Sequence, residues 1–340
     1  MEKNFKKKII IIAEAGVNHN GSFIKAKKLI NEAAKSGANV IKFQHFKTEL
    51  LISKKILKKK NIFKKLKIKK TYNMLKKYEL SFNQIKKLNE YAIKRKIVFA
   101  ATPFDVQSVD ELEKINVPFY KISSGDLNNF SLLKHILKKK KPIILSTGRS
   151  SYLEIKNTIS FLKKNNFNKY SILHCVSIYP ADVKILNLNS IKFLKKKFKC
   201  KIGFSDHSKG IEASIAAFVL GAEFIEKHIT LNVNDKGPDH KASTEPTEFK
   251  KMVLALRNLE KGIGYETKKV LKIERKGRVK SRRGVYAKKN LLKNQRIEYD
   301  DIICKRPAFG IEPENFFKII GKKVKKNIEK DEPLTWNNIA

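Results

Sequence analysis

The chain has 340 residues, 41% of them hydrophobic, and a formal net charge of +43. That length can bury a full core, and no run approaches the roughly 20 apolar residues that a membrane-spanning helix needs. A basic surface attracts nucleic acid and anionic membranes without specificity; here the excess is dispersed lysine alongside abundant Ile and Asn, for which a compositionally biased genome is the blander account and a selected nucleic-acid surface the alternative.

The N-terminus mimics a signal peptide, with a basic run at 3–8 and an apolar one at 9–12, but the apolar run is too short and Glu14 follows at once. Short apolar runs bounded by turns predict strands at 9–13, 40–44, 97–101, 119–123, 143–146, 171–175, 202–204 and 224–226. Between them lie amphipathic stretches with helical spacing, at 24–35, 82–94, 108–114, 132–138, 152–164, 188–197 and 211–220. Nearly all-apolar strands alternating with helices are the mark of buried parallel strands. Eight such units in 1–264 suit an α/β fold of the (β/α)8 TIM barrel kind better than an open sheet. The longer, Lys-rich segment at 51–80 reads as a long loop with some helix. Residues 265–280 are polar and basic and read as a linker; 281–340 mixes short strands with turn signals and reads as a small β-rich domain. A domain of that size is marginal alone, which favours docking onto the barrel or a second subunit. The cysteines Cys175, Cys200 and Cys304 are odd in number and scattered, a reduced intracellular pattern of core or strand residues. We expect a cytoplasmic protein with no membrane partner. Without a zinc finger, RNA-recognition signature or arginine-rich arm, we expect no specific nucleic-acid partner either.

Polar residues crowd the predicted strand ends: Glu14, Lys42, Gln44, Thr102, Lys121, Ser123, Ser124, Ser146, Ser177, Tyr179, Ser205, His207 and His228. Barrel active sites are built at that face. One such residue is usually a strand meeting solvent, but hardly eight strands in succession. Lys42 and Lys121 inside apolar strands are costly unless an anion pairs with them; a barrel carboxylate such as Glu14 or a bound phosphate would each serve. His207 and His228, one after each of the last two strands, are neutral-imidazole ligand candidates for a divalent ion. Taken singly, a histidine at a strand end is more often structural. Glu14 and Asp239 are the acid–base candidates. These residues together fit a metal-assisted reaction between an anionic phosphorylated compound and a carbonyl or sugar.

The motifs AEAGVNHNGS (13–22), IKFQ (41–44), ATPFD (101–105), YKISSGD (120–126), LSTGR (145–149), HCVSIYP (174–180), GFSDHS (203–208), IEKHIT (225–230) and GPDHKASTEP (237–246) resemble the sialic acid synthase family. KRPAFGI (305–311) and IIGK (319–322) resemble the antifreeze-like (SAF) domain that those enzymes append. The resemblance implies condensation of phosphoenolpyruvate with an N-acetylated hexosamine aldehyde to a nine-carbon 2-keto sugar acid, with phosphate lost by C–O cleavage. It also implies a divalent metal, Mn2+ or Mg2+, on His207 and His228. Phosphoenolpyruvate would sit on Lys42, Gln44, Thr102, Lys121, Ser124, Ser146, Ser177 and Ser205. The sugar would meet Asp126, Tyr179, Asp239 and, from the partner of a domain-swapped homodimer, Arg306; Glu14 would serve the aldehyde or the water. Three departures stand out: Asp126 where Glu is usual, Ser177 where some members have Asn, and KRPAFG in place of KRPGNG. Rival readings are another phosphoenolpyruvate-dependent sugar-acid synthase, which the C-terminal domain argues against, and a basic scaffold that binds polyanions without catalysis.

Overall fold

A computed structural model describes residues 9–53, 55, 68–264 and 267–340. The basic run at 3–8 and, within the Lys-rich segment, residues 54 and 56–67 lie outside the described residues. The chain divides into two compact units, Met1–Gly264 and Tyr265–Ala340.

The first unit carries eight parallel strands: β1 (Ile10–Gly16), β2 (Val40–His45), β3 (Val98–Pro103), β4 (Tyr120–Ile122), β5 (Ile143–Ser146), β6 (Tyr170–Cys175), β7 (Lys201–Asp206) and β8 (Phe224–His228). They pair in the order β3-β2-β1-β8-β7-β6-β5-β4, and β3 packs beside β4, so the sheet curls into a nearly closed barrel. The predicted strand positions hold, and several strands run further than their apolar stretches. β7 extends to Asp206 and β8 to His228, so ladder hydrogen bonding carries polar residues to the mouth.

Crossover helices cover the outside. The helix Phe23–Lys35 is capped by the Ser22 hydroxyl and buries Ala26, Leu29, Ile30 and Ala33, one stripe at helical spacing. Ser81 and Ser151 open the helices Phe82–Lys94 and Tyr152–Lys164 with reciprocal capping boxes to Gln84 and Glu154. The main core lies between these helices and the sheet. A second apolar layer, including Ile12, Val40, Ala100, Phe119, Ile144, Leu173 and Phe224, fills the inside of the barrel. Side chains alternate along a strand, so the residues two positions further on face inward as well. Those residues are Glu14, Lys42, Thr102, Lys121, Ser146, Cys175 and Glu226. A greasy floor and a polar mouth thus follow from one period-two pattern.

In the second unit, the stretch read as a linker contains the helix Lys272–Ser281. Beyond it, β9 (Gly284–Ala287) pairs antiparallel with β10 (Ile302–Lys305). Val285, Leu291, Ile297, Ile311, Ile319 and Leu334 form a separate small core.

Gly203 takes the β7 place in the barrel floor. A Cβ there would lie 2.5 Å from Leu173 Cδ2 and 2.6 Å from the Phe224 carbonyl oxygen, a backbone atom that cannot step aside. Gly203→Ala should therefore lower stability by about 1–3 kcal/mol, read as a lower denaturant midpoint; an unchanged midpoint would show that the floor has slack.

Candidate functional site

The strand ends enclose a cavity of about 220 Å³. Its wall includes Glu14, Lys42, Gln44, Thr102, Lys121, Ser124, Ser146, Ser177, Tyr179, Ser205, His207 and His228, all named from the sequence. A larger cleft of about 960 Å³ lies between the starts of β6 and β7, lined by Lys163, Lys169, Lys199 and Lys201 among others. Two helices, Tyr152–Lys164 and Ser190–Phe198, end beside it, and lysines there complement the negative helix termini. The acid–base candidates Glu14 and Asp239 are instead at the mouth.

At its centre is a buried charge network. Lys42 Nζ sits 2.6 Å from Glu14 Oε2 and 3.7 Å from Glu226 Oε2, while Lys121 Nζ sits 3.3 Å from Glu226 Oε1. Lys42 also donates to Thr102 Oγ1 at 3.1 Å, Lys121 to Ser146 Oγ at 2.7 Å, and Ser205 Oγ to Glu226 Oε1 at 2.9 Å. Burial pushes the Glu14 carboxyl up to about 7; Glu226 adds to the push and Lys42 opposes it. Burial works against the charged form of Glu226 too, but Lys121, Lys42 and the Ser205 hydroxyl outweigh it and hold that carboxyl at about 2. Two carboxylates in one site, pushed apart by their surroundings, mark an acid–base pair of roles. Glu14 Oε2 and Glu226 Oε2 have no well-directed hydrogen bond, even with the close Lys42 contact at the first.

Beside this network lies a cradle of small groups. Gly148 N donates to Ser124 Oγ at 2.9 Å, and a Cβ on Gly148 would collide with Ser177 Oγ and come within 3.1 Å of Cys175 Sγ. Only glycine leaves room there for hydroxyls and a backbone N–H to meet an anion.

Across the mouth the rings of His207 and His228 have centroids 5.4 Å apart, and the Tyr179 ring packs 4.1 Å from His207. His207 Nδ1 is 2.8 Å from the Val176 carbonyl, which can only accept, so Nδ1 carries a proton and Nε2 is the nitrogen left to bear the lone pair when the ring is neutral. That short bond governs the ring more than the 3.8 Å contact with Cys175 Sγ. Burial, then His207 and Lys42, push His228 well below the ordinary imidazole range, so it is neutral, and its Nδ1 is buried with no hydrogen-bond partner. Asp239 Oδ2 lies 3.9 Å from that nitrogen, and burial lifts the Asp239 carboxyl to about 6. Gly16, at φ +50°, lets the three groups close in: a Cβ there would be 3.3 Å from Asp239 Oδ2, Glu14 Oε1 and His228 Cε1 alike. Asp239 is itself placed by Ser243 Oγ, which donates to its carbonyl and accepts from Asn18 Nδ2.

Two predicted residues stand apart. The Asp126 carboxylate is engaged in its own turn, accepting from Ser123 Oγ at 2.6 Å and Asn129 Nδ2 at 3.2 Å, and is absent from the cavity wall. Arg306 follows β10 in the second unit.

Residues 29–268 match the NeuB family, and residues 282–340 match the SAF domain. The chain belongs to the NeuB family. It is 42% identical to N,N'-diacetyllegionaminic acid synthase of Campylobacter jejuni, over 96% of this chain and 98% of that protein. It is 37% identical to human N-acetylneuraminate-9-phosphate synthase, over 95% of this chain and 90% of that one. A solved structure, the N-acetylneuraminic acid synthetase of Leptospira borgpetersenii with citrate, aligns at TM-score 0.71 and 37% identity over 80% of this chain and 90% of that chain. This NeuB-family chain is accordingly an enzyme of the sialic acid synthase type.

Sequence reasoning about this NeuB barrel missed Glu226, Cys175 and Asn18 as site builders. Glu226 was visible as a charge at the end of an apolar strand, two residues before His228. Among the described residues no three His, Cys, Asp or Glu side chains cluster to hold an ion. Burial works against the charged form of His207, but Cys175 and the Val176 carbonyl outweigh it and raise the ring above its ordinary value, so a metal would bind there in exchange for a proton. With that proton released, the donor set fits a divalent metal in an open site, with two imidazoles and the remaining positions left to substrate and water. Glu226 keeps its folded-state value below the ordinary 4.5, so its stabilising contribution is complete above about 4.5 and disappears as pH falls through about 2. The stability gap between wild type and Glu226→Gln should therefore shrink across that window, read from denaturant midpoints at stepped pH. A gap that stays constant down to pH 2 would contradict the network as described.

Proposed function

We propose that the protein condenses phosphoenolpyruvate with an N-acylated amino sugar and water, giving a nine-carbon 2-keto sugar acid and phosphate. The sugar is of the N-acetylmannosamine or 2,4-diacetamido-6-deoxy-mannose type. The observation that carries the reading is the buried network of Lys42, Lys121, Glu14 and Glu226 beside the Ser124–Gly148–Ser177 cradle. The lysines supply fixed charge for a carboxylate and phosphate, and the hydroxyls of Thr102, Ser124, Ser146 and Ser177 supply oriented donors. Gln44 and Ser205 complete the wall around that substrate. Carbon 3 of phosphoenolpyruvate forms the new bond to the aldehyde carbon, water adds at carbon 2, and phosphate leaves with its bridging oxygen.

Glu14, titrating near 7, can move a proton at the water or the aldehyde oxygen at neutral pH. Tyr179 and Asp239 border the sugar end of the mouth. Arg306 is assigned to the sugar's acyl group, delivered from the partner of a domain-swapped homodimer; Asp126 reaches the sugar only by leaving Ser123 and Asn129. His207 and His228 would hold Mn2+ or Mg2+, a Lewis acid that polarises a carbonyl. The greater identity to a legionaminic acid synthase supports the diacetamido sugar.

Purified protein should release phosphate from phosphoenolpyruvate only when an N-acylated aldose and a divalent ion are both present. No release across a panel holding N-acetylmannosamine and its 2,4-diacetamido-6-deoxy analogue would sink the synthase reading. Arg306→Ala should raise the sugar KM about tenfold or more and leave the phosphoenolpyruvate KM within about twofold. Equal rises in both would place that arginine elsewhere.

A further inference from the structure

We infer that the Asp206–Lys227 ion pair is a positioning device for the two histidines, setting their spacing across the barrel mouth. The inference rests on the reading of His207 and His228 as metal ligands.

The pair lies on the outer face of the sheet, where alternation turns it away from the cavity. Asp206 on β7 and Lys227 on β8 are direct register partners, and theirs is the last registered pair of that ladder. Each is the chain neighbour of one histidine, Asp206 preceding His207 and Lys227 preceding His228. Both side chains are completely buried, with Lys227 Nζ 2.9 Å from Asp206 Oδ2.

The remaining bonds tie the pair to the strand end at Ser208 and to Ser214 on the helix Glu212–Val219. Asp206 Oδ1 accepts from the Ser208 N–H at 2.9 Å and the Ser208 hydroxyl at 2.6 Å, and Oδ2 accepts from Ser214 Oγ at 2.6 Å. Lys227 Nζ also donates to the Ser208 carbonyl at 2.8 Å. The backbone is therefore clamped on both sides of His207, and the clamp is anchored on the residue before His228. Beyond Asp206 the ladder to β8 stops, so this salt bridge is the last tie between the two strands before the imidazoles leave them.

Stability alone gives little reason for such a pair, because replacing a buried ion pair with apolar residues of similar volume is often neutral or stabilising. Geometric specificity does. Partners that orient metal-binding histidines without touching the metal commonly change affinity by about 10–100-fold when lost.

The test titrates Mn2+ by calorimetry into wild type, His207→Ala, the double variant Asp206→Leu/Lys227→Met and Ser214→Ala, with phosphoenolpyruvate affinity measured separately without metal. The double variant should melt close to wild type, bind Mn2+ about 10–100-fold more weakly, and bind phosphoenolpyruvate as wild type does. Ser214→Ala, a milder change, should weaken Mn2+ about threefold. A folded double variant with wild-type Mn2+ affinity overturns the inference. Should the double variant not fold, unchanged Mn2+ affinity in Ser214→Ala overturns it. Undiminished Mn2+ binding in His207→Ala, or none in wild type, removes the ligand reading itself and the inference with it. Loss in His207→Ala without loss in the double variant removes only the positioning role.

Discussion

Glu226 is the charge on which the rest of the barrel mouth depends. A carboxylate 4% exposed inside a barrel is tolerable only with compensating cations, and Lys42 and Lys121 supply them from β2 and β4. Each lysine needs more than one partner, and the strands present those partners at the same depth: Glu14 beside Lys42, Ser146 beside Lys121, Ser205 beside Glu226. Two cations face two carboxylates, so the interior is neutral before any substrate arrives. On the proposed reading, phosphoenolpyruvate would compete with Glu14 and Glu226 for the same ammonium groups. That competition makes a carboxyl poised near 7 useful, since Glu14 can give up its charge when an anion takes its partner.

The barrel makes this arrangement with one rule applied eight times. An apolar residue faces inward at the floor, and the residue two positions later faces inward at the mouth. Phe119, just before β4, and Lys121 on it stand in this relation, as do Phe224 and Glu226 on β8 and Gly203 and Ser205 on β7. The floor keeps water from entering below and lowers the effective dielectric around the charges above it. The strength of the network therefore belongs to the fold as much as to the charged residues.

That rule explains what was legible. Lys42 and Lys121 announced themselves as charges inside apolar runs, and the histidines as a pair at successive strand ends. Glu226 and Lys227 carried no such signal, because a strand that ends in charges reads the same whether it meets water or a buried partner. The structure separates them: Glu226 faces inward to the lysines, and Lys227 faces outward to Asp206. Cys175 read as core, and it is buried, yet its sulfur sits 3.7 Å from both Ser124 Oγ and Ser177 Oγ at the cradle. The family resemblance gave Asp126 to the sugar, but its short side chain satisfies itself on Ser123 and Asn129 in a tight turn, a local preference that a motif match does not register. Within 265–280, read as a linker, the helix went unread for a similar reason. A basic stretch with little apolar patterning still forms the helix Lys272–Ser281, whose first turn holds Glu274 and whose last turn holds Arg278 and Lys280, each suited to its end.

The two buried ion-pair systems of β7 and β8 differ in one respect that assigns their roles. Outside the barrel, both oxygens of Asp206 are hydrogen-bonded, and Lys227 has its carboxylate and a carbonyl besides. Inside, Glu14 Oε2, Glu226 Oε2 and His228 Nδ1 are left without a directed hydrogen bond, all within one cavity. A satisfied buried pair is rigid and has nothing to offer a ligand; an unsatisfied one is costly until a ligand arrives. Neighbouring residues on the same two strands thus divide the work by facing direction alone. The outward residues tie the strands together, and the inward ones keep hydrogen-bonding capacity open toward the cavity.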